Sequence, residues 1–309
     1  MDSKNNQNPI IIISVFRSGS NLIKDILCHL PEFGTWPAEN INFIWRHGNA
    51  SREDDEFNAN DATENVIKYI RLTFNNFSTK SGYKNLVEKT EANSLRIPFV
   101  DKVFPHAKFI FVVRDGRDAI ASMLNRRNQP FNLKFLIKKV RFVPLFDFPR
   151  VMFRYIINII RRYLFSSEGN FFLGPIYKGM REELSNYTEE EIVAIQWAKC
   201  IEKAYEDLKK IHNNRVYIIK YEDFVKAPSE SITALFNYVD IDTKSKEIKL
   251  LMDKILCSDI GKETASDEMK MVKGISDKSV GRWKDQLDKQ VLNSISPLIK
   301  NAMKKIGYY

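Results

Sequence analysis

Residues 10–26 read Ile-Ile-Ile-Ile-Ser-Val-Phe-Arg-Ser-Gly-Ser-Asn-Leu-Ile-Lys-Asp-Ile, and this stretch decides the fold. The run from Ile10 to Val15, apolar except for one serine, predicts a buried strand of a parallel sheet. A polar turn at 17–21 ends the strand, and apolar residues at helical spacing then predict a helix. Strand, tight turn and helix together direct several backbone N–H groups and a positive dipole end at one point. The turn is therefore predicted to bind a phosphate or sulfate ester.

This turn is not a Walker A loop. Gly19 allows the backbone to approach an anion closely, and Ser18 and Ser20 add hydroxyl donors. The Walker motif, G-x-x-x-x-G-K-[ST], needs a second glycine and a lysine before the Ser/Thr. Here the cation, Arg17, precedes the turn, and no lysine directly follows the glycine. This weakens an ATPase or GTPase interpretation, and an ordinary strand–turn–helix with a serine N-cap is the simpler alternative.

A second segment repeats the pattern. Residues 107–113 predict another buried strand, which ends in Arg114-Asp115-Gly116-Arg117-Asp118. The helix predicted after it carries Ser122 one turn inside, where it could meet a ligand held by Arg114. Arginine is suited to bidentate capture of a phosphate. A surface cluster of salt bridges is the alternative, but it does not explain two phosphate-type turns after two hydrophobic strands.

Together these segments resemble the PAPS-dependent sulfotransferase family (PAPS is 3′-phosphoadenosine 5′-phosphosulfate). The turn at 17–21 is similar to the family's 5′-phosphosulfate loop, and Arg114 and Ser122 match its 3′-phosphate segment. Residues 216–224 are similar to its third strand and the Tyr-Glu-Asp end of that strand, and residues 272–275 and 280–284 are similar to elements of its closing loop. The resemblance implies that PAPS is bound by Arg17, Ser18, Gly19, Ser20, Asn21, Arg114, Ser122, Tyr221 and Lys273.

The resemblance also implies catalytic roles. Some family branches use a histidine base in a Lys-x-His element, which residues 87–93 lack. The protein-tyrosine sulfotransferase branch uses a glutamate downstream of the loop arginine, and residues 30–40 resemble that element. Glu39 then matches the base, while Lys89 and Arg17 match the cations at the bridging oxygen. Glu91 is the second candidate base, although Glu88 and Glu91 flank Lys89 and ion pairing with it is the simpler role for both.

Length and pattern predict the architecture. A chain of 309 residues with 44% hydrophobic content can bury one large α/β core. Strands near 10–15, 109–113 and 216–220, separated by helical patterns, predict a parallel sheet covered on both faces. The resemblance implies an α/β, P-loop-like three-layer fold with a helical insertion. We expect a single domain over 1–309, with the insertion at 126–186.

The net charge of +9 is concentrated in the insertion. Ten basic residues and one acid lie between Arg126 and Arg162, among many aromatic residues. Residues 151–165 predict a helix with one polar stripe, too short and too charged to span a bilayer. The segment 126–165 could contact an anionic membrane surface, bind an acidic acceptor polymer, or pack on the core with its arginines exposed to solvent. Nucleic acid is not expected, because no binding-module motif accompanies the charge.

The remaining features bear on compartment and reaction. The N-terminus lacks the apolar core of a signal peptide, and Cys28, Cys200 and Cys257 are odd in number and scattered. A cytoplasmic location is expected, with the membrane surface as an alternative, and the histidines and cysteines predict no metal site. The expected reaction is sulfuryl transfer from PAPS to a hydroxyl of a carbohydrate, lipid-linked sugar, small metabolite or tyrosine. A P-loop-like kinase of a small metabolite and a non-catalytic membrane- or polyanion-binding protein remain open alternatives.

Overall fold

Five parallel strands form the centre of the computed structural model, which describes residues 8–37, 41–127, 174–257 and 275–309. The strands are β1 (Ile10–Ser14), β2 (Phe33–Gly34), β3 (Asn85–Glu88), β4 (Lys108–Val113) and β5 (Val216–Lys220). Their order in the sheet is β2-β3-β1-β4-β5, and all four neighbouring pairs are parallel. The carboxyl ends of all five strands therefore meet at one edge, where α/β sheets bind ligands.

The helices connect these strands and cover both faces of the sheet. They are α1 (Ser20–Cys28), α2 (Asn42–Trp45), α3 (Glu64–Ser81), α4 (Ile97–Val103), α5 (Gly116–Arg127), α6 (Met180–Glu183), α7 (Glu189–Leu208), α8 (Tyr221–Lys226), α9 (Pro228–Tyr238), α10 (Lys246–Cys257), α11 (Trp283–Gln286) and α12 (Lys289–Lys305). Short 3₁₀ turns lie at Ala59–Asp61, Glu91–Leu95, Asn213–Arg215 and Asp277–Ser279.

The central strand β1 divides the core into two layers. Ile11 and Ile13 pack into one hydrophobic cluster with α3, α4, α5, α7 and α12, whereas Ile10 and Ile12 pack into another with α1, α9 and α10. This division follows from the alternation of side chains along a strand. All five residues of β1 are buried, as expected for a parallel sheet covered on both faces. The predicted three-layer α/β fold is confirmed.

The strands predicted from sequence are present with nearly the predicted bounds. The strand predicted at 10–15 ends one residue earlier, at Ser14, and β5 covers 216–220 as predicted. The sequence analysis did not predict β2 and β3, which are only 2 and 4 residues long. Such short strands are too brief for a period-2 pattern to emerge.

The helix predicted at 151–165, and most of the insertion predicted at 126–186, lie outside the described residues. Downstream, the chain runs next to the turn after β1, because a Cβ added at Gly174 would lie 3.2 Å from the ring of Phe16. The side chain of Gln196 donates to the carbonyl oxygen of Pro175 at 2.7 Å. These contacts place the first described residues of the insertion, 174 and 175, beside the turn after β1.

Candidate active site

The turn between β1 and α1 has the backbone geometry of an anion-binding loop. Arg17 and Gly19 have positive φ angles of 60° and 86°. For a non-glycine residue this conformation is sparsely populated, and such strain concentrates at functional sites. The ring of Tyr221 lies directly against Gly19, where an added Cβ would be 2.2 Å from Cδ2 of the ring. Only glycine fits there, and the N-terminus of α1 that follows is a backbone arrangement suited to binding an anion at this turn.

Two side chains of this turn carry buried polar atoms that lack a partner. Ser18 and Ser20 are buried, and the Ser18 Oγ and Asn21 Oδ1 atoms have no hydrogen-bond partner within the described part of the chain. Buried polar groups are almost always hydrogen-bonded in proteins. These atoms are therefore available to a ligand seated on the turn.

The two predicted phosphate-binding segments meet, because β1 and β4 are neighbours in the sheet. The Arg17 Nε atom donates to the Ser122 Oγ atom at 2.8 Å, and Arg114 Nη1 donates to the carbonyl oxygen of Arg17 at 3.1 Å. Arg114 is buried, and its Nε atom has no partner among the residues that the structure describes. One molecule placed in this cleft can therefore contact both turns.

Tyr221 closes a third side of the cleft from the end of β5. Its ring centroid lies 4.8 Å from the guanidinium carbon of Arg114, a cation–π contact. Its hydroxyl forms a 2.8 Å hydrogen bond with the Ser279 hydroxyl. The adjacent Glu222 carboxylate accepts from the backbone N–H of Asp115 at 2.9 Å, which ties the end of β5 to the turn after β4. The predicted Tyr-Glu-Asp segment thus lies against both phosphate-type turns.

Asp118 holds residues 275–287, which we call the closing segment, in place. This role was not predicted from the sequence. Its carboxylate accepts from the backbone N–H groups of Gly281 at 2.7 Å and Trp283 at 2.9 Å. Arg114 donates to the carbonyl oxygen of Ser279, so residues 279–283 are attached both to Arg114, just before α5, and to Asp118 in the first turn of α5. The aspartate appeared in the sequence only as part of a charged cluster. Its partners are 163 and 165 residues away, beyond the reach of any local pattern.

Lys89 lies immediately after β3 and pairs with only one of the two glutamates that flank it. Its Nζ atom is 3.3 Å from a carboxylate oxygen of Glu91, and only 9% of its side chain is exposed. The prediction that Glu88 also pairs with Lys89 is wrong. The Glu88 side chain is buried and accepts from the Asn93 side-chain amide at 2.7 Å. The alternation of side chains along β3 turns Glu88 into the core.

Two predicted site residues, Glu39 and Lys273, lie outside the described residues. On either side of the gap at 38–40, Trp36 and Ile41 are buried. Trp36 stacks on Phe77 with ring centroids 3.9 Å apart. Since Trp36 closely follows β2, the described chain enters this gap from the carboxyl edge of the sheet.

Four buried side chains and the half-buried Asn42 form a continuous run of hydrogen bonds that the sequence did not predict; we call it the polar chain. The Asn93 amide donates to Glu88, and Arg96 Nε donates to Asn93 Oδ1 at 2.8 Å. Arg96 Nη2 then donates to Asn42 Oδ1 at 2.6 Å, and Asn42 Nδ2 donates to Asp55 Oδ1 at 3.0 Å. The polar chain joins the end of β3 to the first residue of α2.

Burial and neighbouring charges act in opposite directions on the ionisable members of the polar chain. Burial raises the pKa of the Glu88 carboxyl above its ordinary value, and contacts with Thr90 and other neighbours offset this only in part. At Asp55 burial acts in the same direction, but Arg46 and Arg96 outweigh it and hold the pKa below its ordinary value. Burial lowers the pKa of the Arg96 guanidinium to about 10. Asp55 is therefore a stabilised carboxylate, whereas Glu88 favours its protonated form.

Three further observations on the described residues concern membrane spans, metal sites and cysteines. No described helix is both long and apolar enough to cross a membrane. Within the described ranges, no cluster of histidine, cysteine, aspartate or glutamate has the geometry of a metal site. The cysteines described with their side chains, Cys28 and Cys200, are free thiols.

Comparison with known proteins identifies the family. The sulfotransferase domain family matches residues 7–307. No curated protein matches the chain. The fold is similar to the sulfotransferase domain from the curacin biosynthetic pathway, with a TM-score of 0.54 and 14% identity over 96% of this chain and 98% of that one. The sulfotransferase STF9 from Mycobacterium avium gives a TM-score of 0.53 and 11% identity over 99% of this chain and 78% of that one.

The sulfotransferase domain of the Synechococcus PCC 7002 olefin synthase gives a TM-score of 0.52 and 15% identity, covering 97% of this chain and 96% of that one. At these identities the three structures support the fold alone. The family match supplies the reaction class, because it spans both phosphate-type turns and the segments that close the cleft. The chain belongs to the sulfotransferase domain family and is an enzyme that transfers a sulfuryl group from PAPS to a hydroxyl acceptor.

Proposed function

We propose that PAPS lies across the junction of the two turns, with its 5′-phosphosulfate on residues 17–21 and its 3′-phosphate between Arg114 and Ser122. The observation that carries this assignment is the pair of bonds that joins the turns, from Arg17 to Ser122 and from Arg114 to Arg17. The unpartnered buried Oγ of Ser18 supports it as a donor to a bound anion. Backbone N–H groups at the start of α1 add to the binding of the 5′ end.

The other contacts to the nucleotide come from segments that surround this junction. Tyr221 lines the nucleotide site with the ring that lies against Gly19. Lys273 closes over the 3′-phosphate, and its position two residues before the described segment that Asp118 anchors supports this role. The positively charged guanidinium of Arg114, stacked on Tyr221, suits the doubly charged 3′-phosphate.

Chemistry at this site needs a base and cations. PAPS supplies an activated sulfuryl group whose leaving group is adenosine 3′,5′-bisphosphate (PAP). Glu39 accepts the proton of the acceptor hydroxyl, whose oxygen forms the new S–O bond as the S–O bond to the 5′-phosphate breaks. Arg17 and Lys89 stabilise the negative charge that develops on the bridging oxygen. Positioning and electrostatics do most of this work, as in phosphoryl transfer.

Glu91 is the alternative base. Its carboxylate is already paired with Lys89 at 3.3 Å and would have to give up that contact to reach an acceptor hydroxyl. Glu39 is therefore the preferred base. Its place between the buried anchors Trp36 and Ile41 supports the assignment.

Three substitutions test these roles, with transfer of radiolabelled sulfate from PAPS to fractionated host extract and calorimetric PAP binding as readouts. Arg17→Ala should abolish transfer and weaken PAP binding by about tenfold or more, since it removes a charged hydrogen-bond donor. Glu39→Ala should abolish transfer with PAP binding unchanged. Glu91→Ala is the comparison variant; it removes the counter-charge of Lys89 but not the proposed base, so it should lower turnover far less than Glu39→Ala. Full turnover in Glu39→Ala, with loss in Glu91→Ala, would assign the base to Glu91 instead.

The whole chain is proposed to act as one domain, with the insertion at 126–186 shaping acceptor choice. The family match over 7–307 supports a single unit. The insertion lies outside the nucleotide-binding motifs, and its described part begins at Gly174 beside Phe16 in the turn after β1. The acceptor is a hydroxyl of a carbohydrate, lipid-linked sugar, small metabolite or tyrosine.

The protein is proposed to act in the cytoplasm and to contact anionic membrane surfaces through residues 126–165. The ten basic residues of this stretch and the free thiols of Cys28 and Cys200 support the proposal. Co-sedimentation with anionic vesicles should be strong at low salt and weak at high salt, because the attraction is screened. Equal binding to neutral vesicles, or none to anionic ones, would contradict it.

A further inference from the structure

We propose that Asn42, Asn93 and Arg96 are positioning residues for the transfer reaction, which act by fixing Lys89 through the polar chain. This inference rests on the proposed function, in which Lys89 stabilises charge at the bridging oxygen. None of the three side chains is proposed to touch the substrate. They act through Glu88, the residue that precedes Lys89 in the chain.

The polar chain fixes the backbone on both sides of Lys89. Glu88, Asn93 and Arg96 are each at most 1% exposed, so water does not compete for their hydrogen bonds. Glu88 Oε1 and Arg96 Nη1 have no partner among the described residues, so the arrangement is held by the four hydrogen bonds of the polar chain, each of which is costly to break in a buried setting. Asn93 belongs to the 3₁₀ turn Glu91–Leu95, which also carries the carboxylate that pairs with Lys89. One turn therefore sets both the backbone position of the lysine and the position of its counter-charge.

The far end of the polar chain connects this turn to Ile176 and Arg46 through Asp55. Asp55 accepts from the backbone N–H of Ile176 at 3.1 Å and donates its own N–H to the carbonyl of Ile176 at 2.6 Å. It also pairs with Arg46 at 2.6 Å. The lysine-bearing end of β3, the start of α2 and the described part of the insertion at Ile176 are thus held in one arrangement.

Stability alone does not account for such a network. Well-packed apolar residues usually stabilise a core as well as buried ionic groups do. A precise position for one cation matters more to rate, because a displacement of about 1 Å can lower catalysis by about a hundredfold. The polar chain ends beside the one described lysine that the proposed reaction uses.

The test compares Asn42→Ala, Lys89→Ala and their double variant by PAP formation from PAPS, with an active extract fraction as acceptor. Asn42→Ala should lower kcat by about tenfold while KM for PAPS stays within about twofold, as expected for a group that acts only on the transition state. Lys89→Ala should lower kcat further. The double variant should be no slower than Lys89→Ala, because the network has no cation left to position.

The matched control is Asp101→Asn, which breaks a 2.7 Å ion pair with Arg215 at the opposite, amino-terminal edge of the sheet. Asp101→Asn alone should have the kcat of the wild type. Asp101→Asn combined with Lys89→Ala should have the kcat of Lys89→Ala alone. The positioning role would be overturned if the losses in kcat from Asn42→Ala and Lys89→Ala multiplied in the double variant. It would also be overturned if Asn42→Ala raised KM for PAPS and left kcat unchanged.

A second Asn42 variant is available in case Asn42→Ala does not fold. A measurement on the wild type separates the positioning proposal from the proposed function. If Asn42→Ala does not fold, Asn42→Ser is measured in the same way, since its short hydroxyl cannot span from Arg96 to Asp55. A wild-type protein that binds PAP but forms none from PAPS with any acceptor fraction would overturn the proposed function itself. If the Asn42 variants turn over as fast as the wild type, only the positioning role would be overturned.

Discussion

At the residue scale, the ring of Tyr221 and a left-handed backbone both restrict position 19 to glycine. Gly19→Ala should destabilise the fold by more than the roughly 1–2 kcal/mol of an unfavourable φ, since its Cβ would also meet the ring at 2.2 Å. Because the added Cβ must displace either the turn or the ring of Tyr221, PAP binding should also weaken by about tenfold or more. Urea unfolding and calorimetric titration with PAP measure the two effects.

Gly82 provides a close control for this substitution. Its φ of 78° is almost the same, but an added Cβ would meet nothing within 4 Å. Gly82→Ala should therefore cost about 1–2 kcal/mol and leave PAP binding unchanged. Equal effects of the two substitutions on PAP binding would show that the contact with Tyr221 does not shape the site.

Glu88 predicts an unusual dependence of stability on pH. Its raised pKa means that the folded protein binds this proton more tightly than the unfolded chain. Its contribution to the free energy of unfolding is full below the unfolded pKa of about 4.3 and falls as pH rises toward the folded pKa. Glu88→Gln cannot ionise, so its stability relative to wild type should rise over that window by up to about 1.4 kcal/mol per pH unit.

Urea unfolding of both proteins at several pH values from about 4 upward measures this difference. The exposed, ion-paired Glu32 serves as the control position. Glu32→Gln should differ from wild type by no more than about 0.5 kcal/mol across the same range. A constant difference between Glu88→Gln and wild type would contradict the raised pKa.

At the scale of elements, α5 joins the two halves of the nucleotide cleft. Its first turn carries Asp118, which accepts two backbone N–H groups of the closing segment, and its second carries Ser122, bonded to Arg17. Asp118→Ala should cost about 2–3 kcal/mol, since it removes two hydrogen bonds to a buried charge. Residues 275–287 should then be cleaved faster in limited proteolysis, and PAP binding should weaken.

The exposed Asp285 on the same segment provides the comparison. Asp285→Ala should change neither the proteolysis rate of the segment nor the affinity for PAP. If Asp118→Ala binds PAP as tightly as wild type, the closing segment does not contribute to the nucleotide site.

The elements also differ in how far the sequence predicted them. The strands β1, β4 and β5 were predicted because each is a run of apolar residues long enough to be read alone. The short β2 and β3 were not, because their strand character depends on pairing with each other and with β1. Lys89 was nevertheless found by its resemblance to a family motif, which does not require knowledge of the strand.

At the scale of the whole molecule, binding of the reaction product should stabilise the entire fold. PAP at about 100 times its Kd should raise the free energy of unfolding by about 2.7 kcal/mol, or the melting temperature by roughly 5–10 °C. The shift should need no added metal, because Arg17, Arg114 and the start of α1 supply the anion contacts. Thermal unfolding with and without PAP measures it.

ATP with Mg²⁺ at the same concentration is the control ligand and should give a much smaller shift. Arg114→Ala should lose most of the PAP shift, since the buried guanidinium faces both turns. A larger shift with ATP and Mg²⁺ than with PAP would favour a kinase-type site over the proposed donor site.

The sequence by itself determined the parallel α/β fold and the two phosphate-type turns. These features depend on residues close together in the sequence, since apolar runs predict strands, Arg17–Asn21 form one turn, and Arg114 lies just before the helix that carries Ser122. Only the tertiary structure decided which polar groups meet: Tyr221 on Gly19, Asp118 with residues 281 and 283, and the polar chain across three separate segments. The physical reason is that hydrophobic periodicity is a local property, whereas polar partners are set by the order of strands in the sheet.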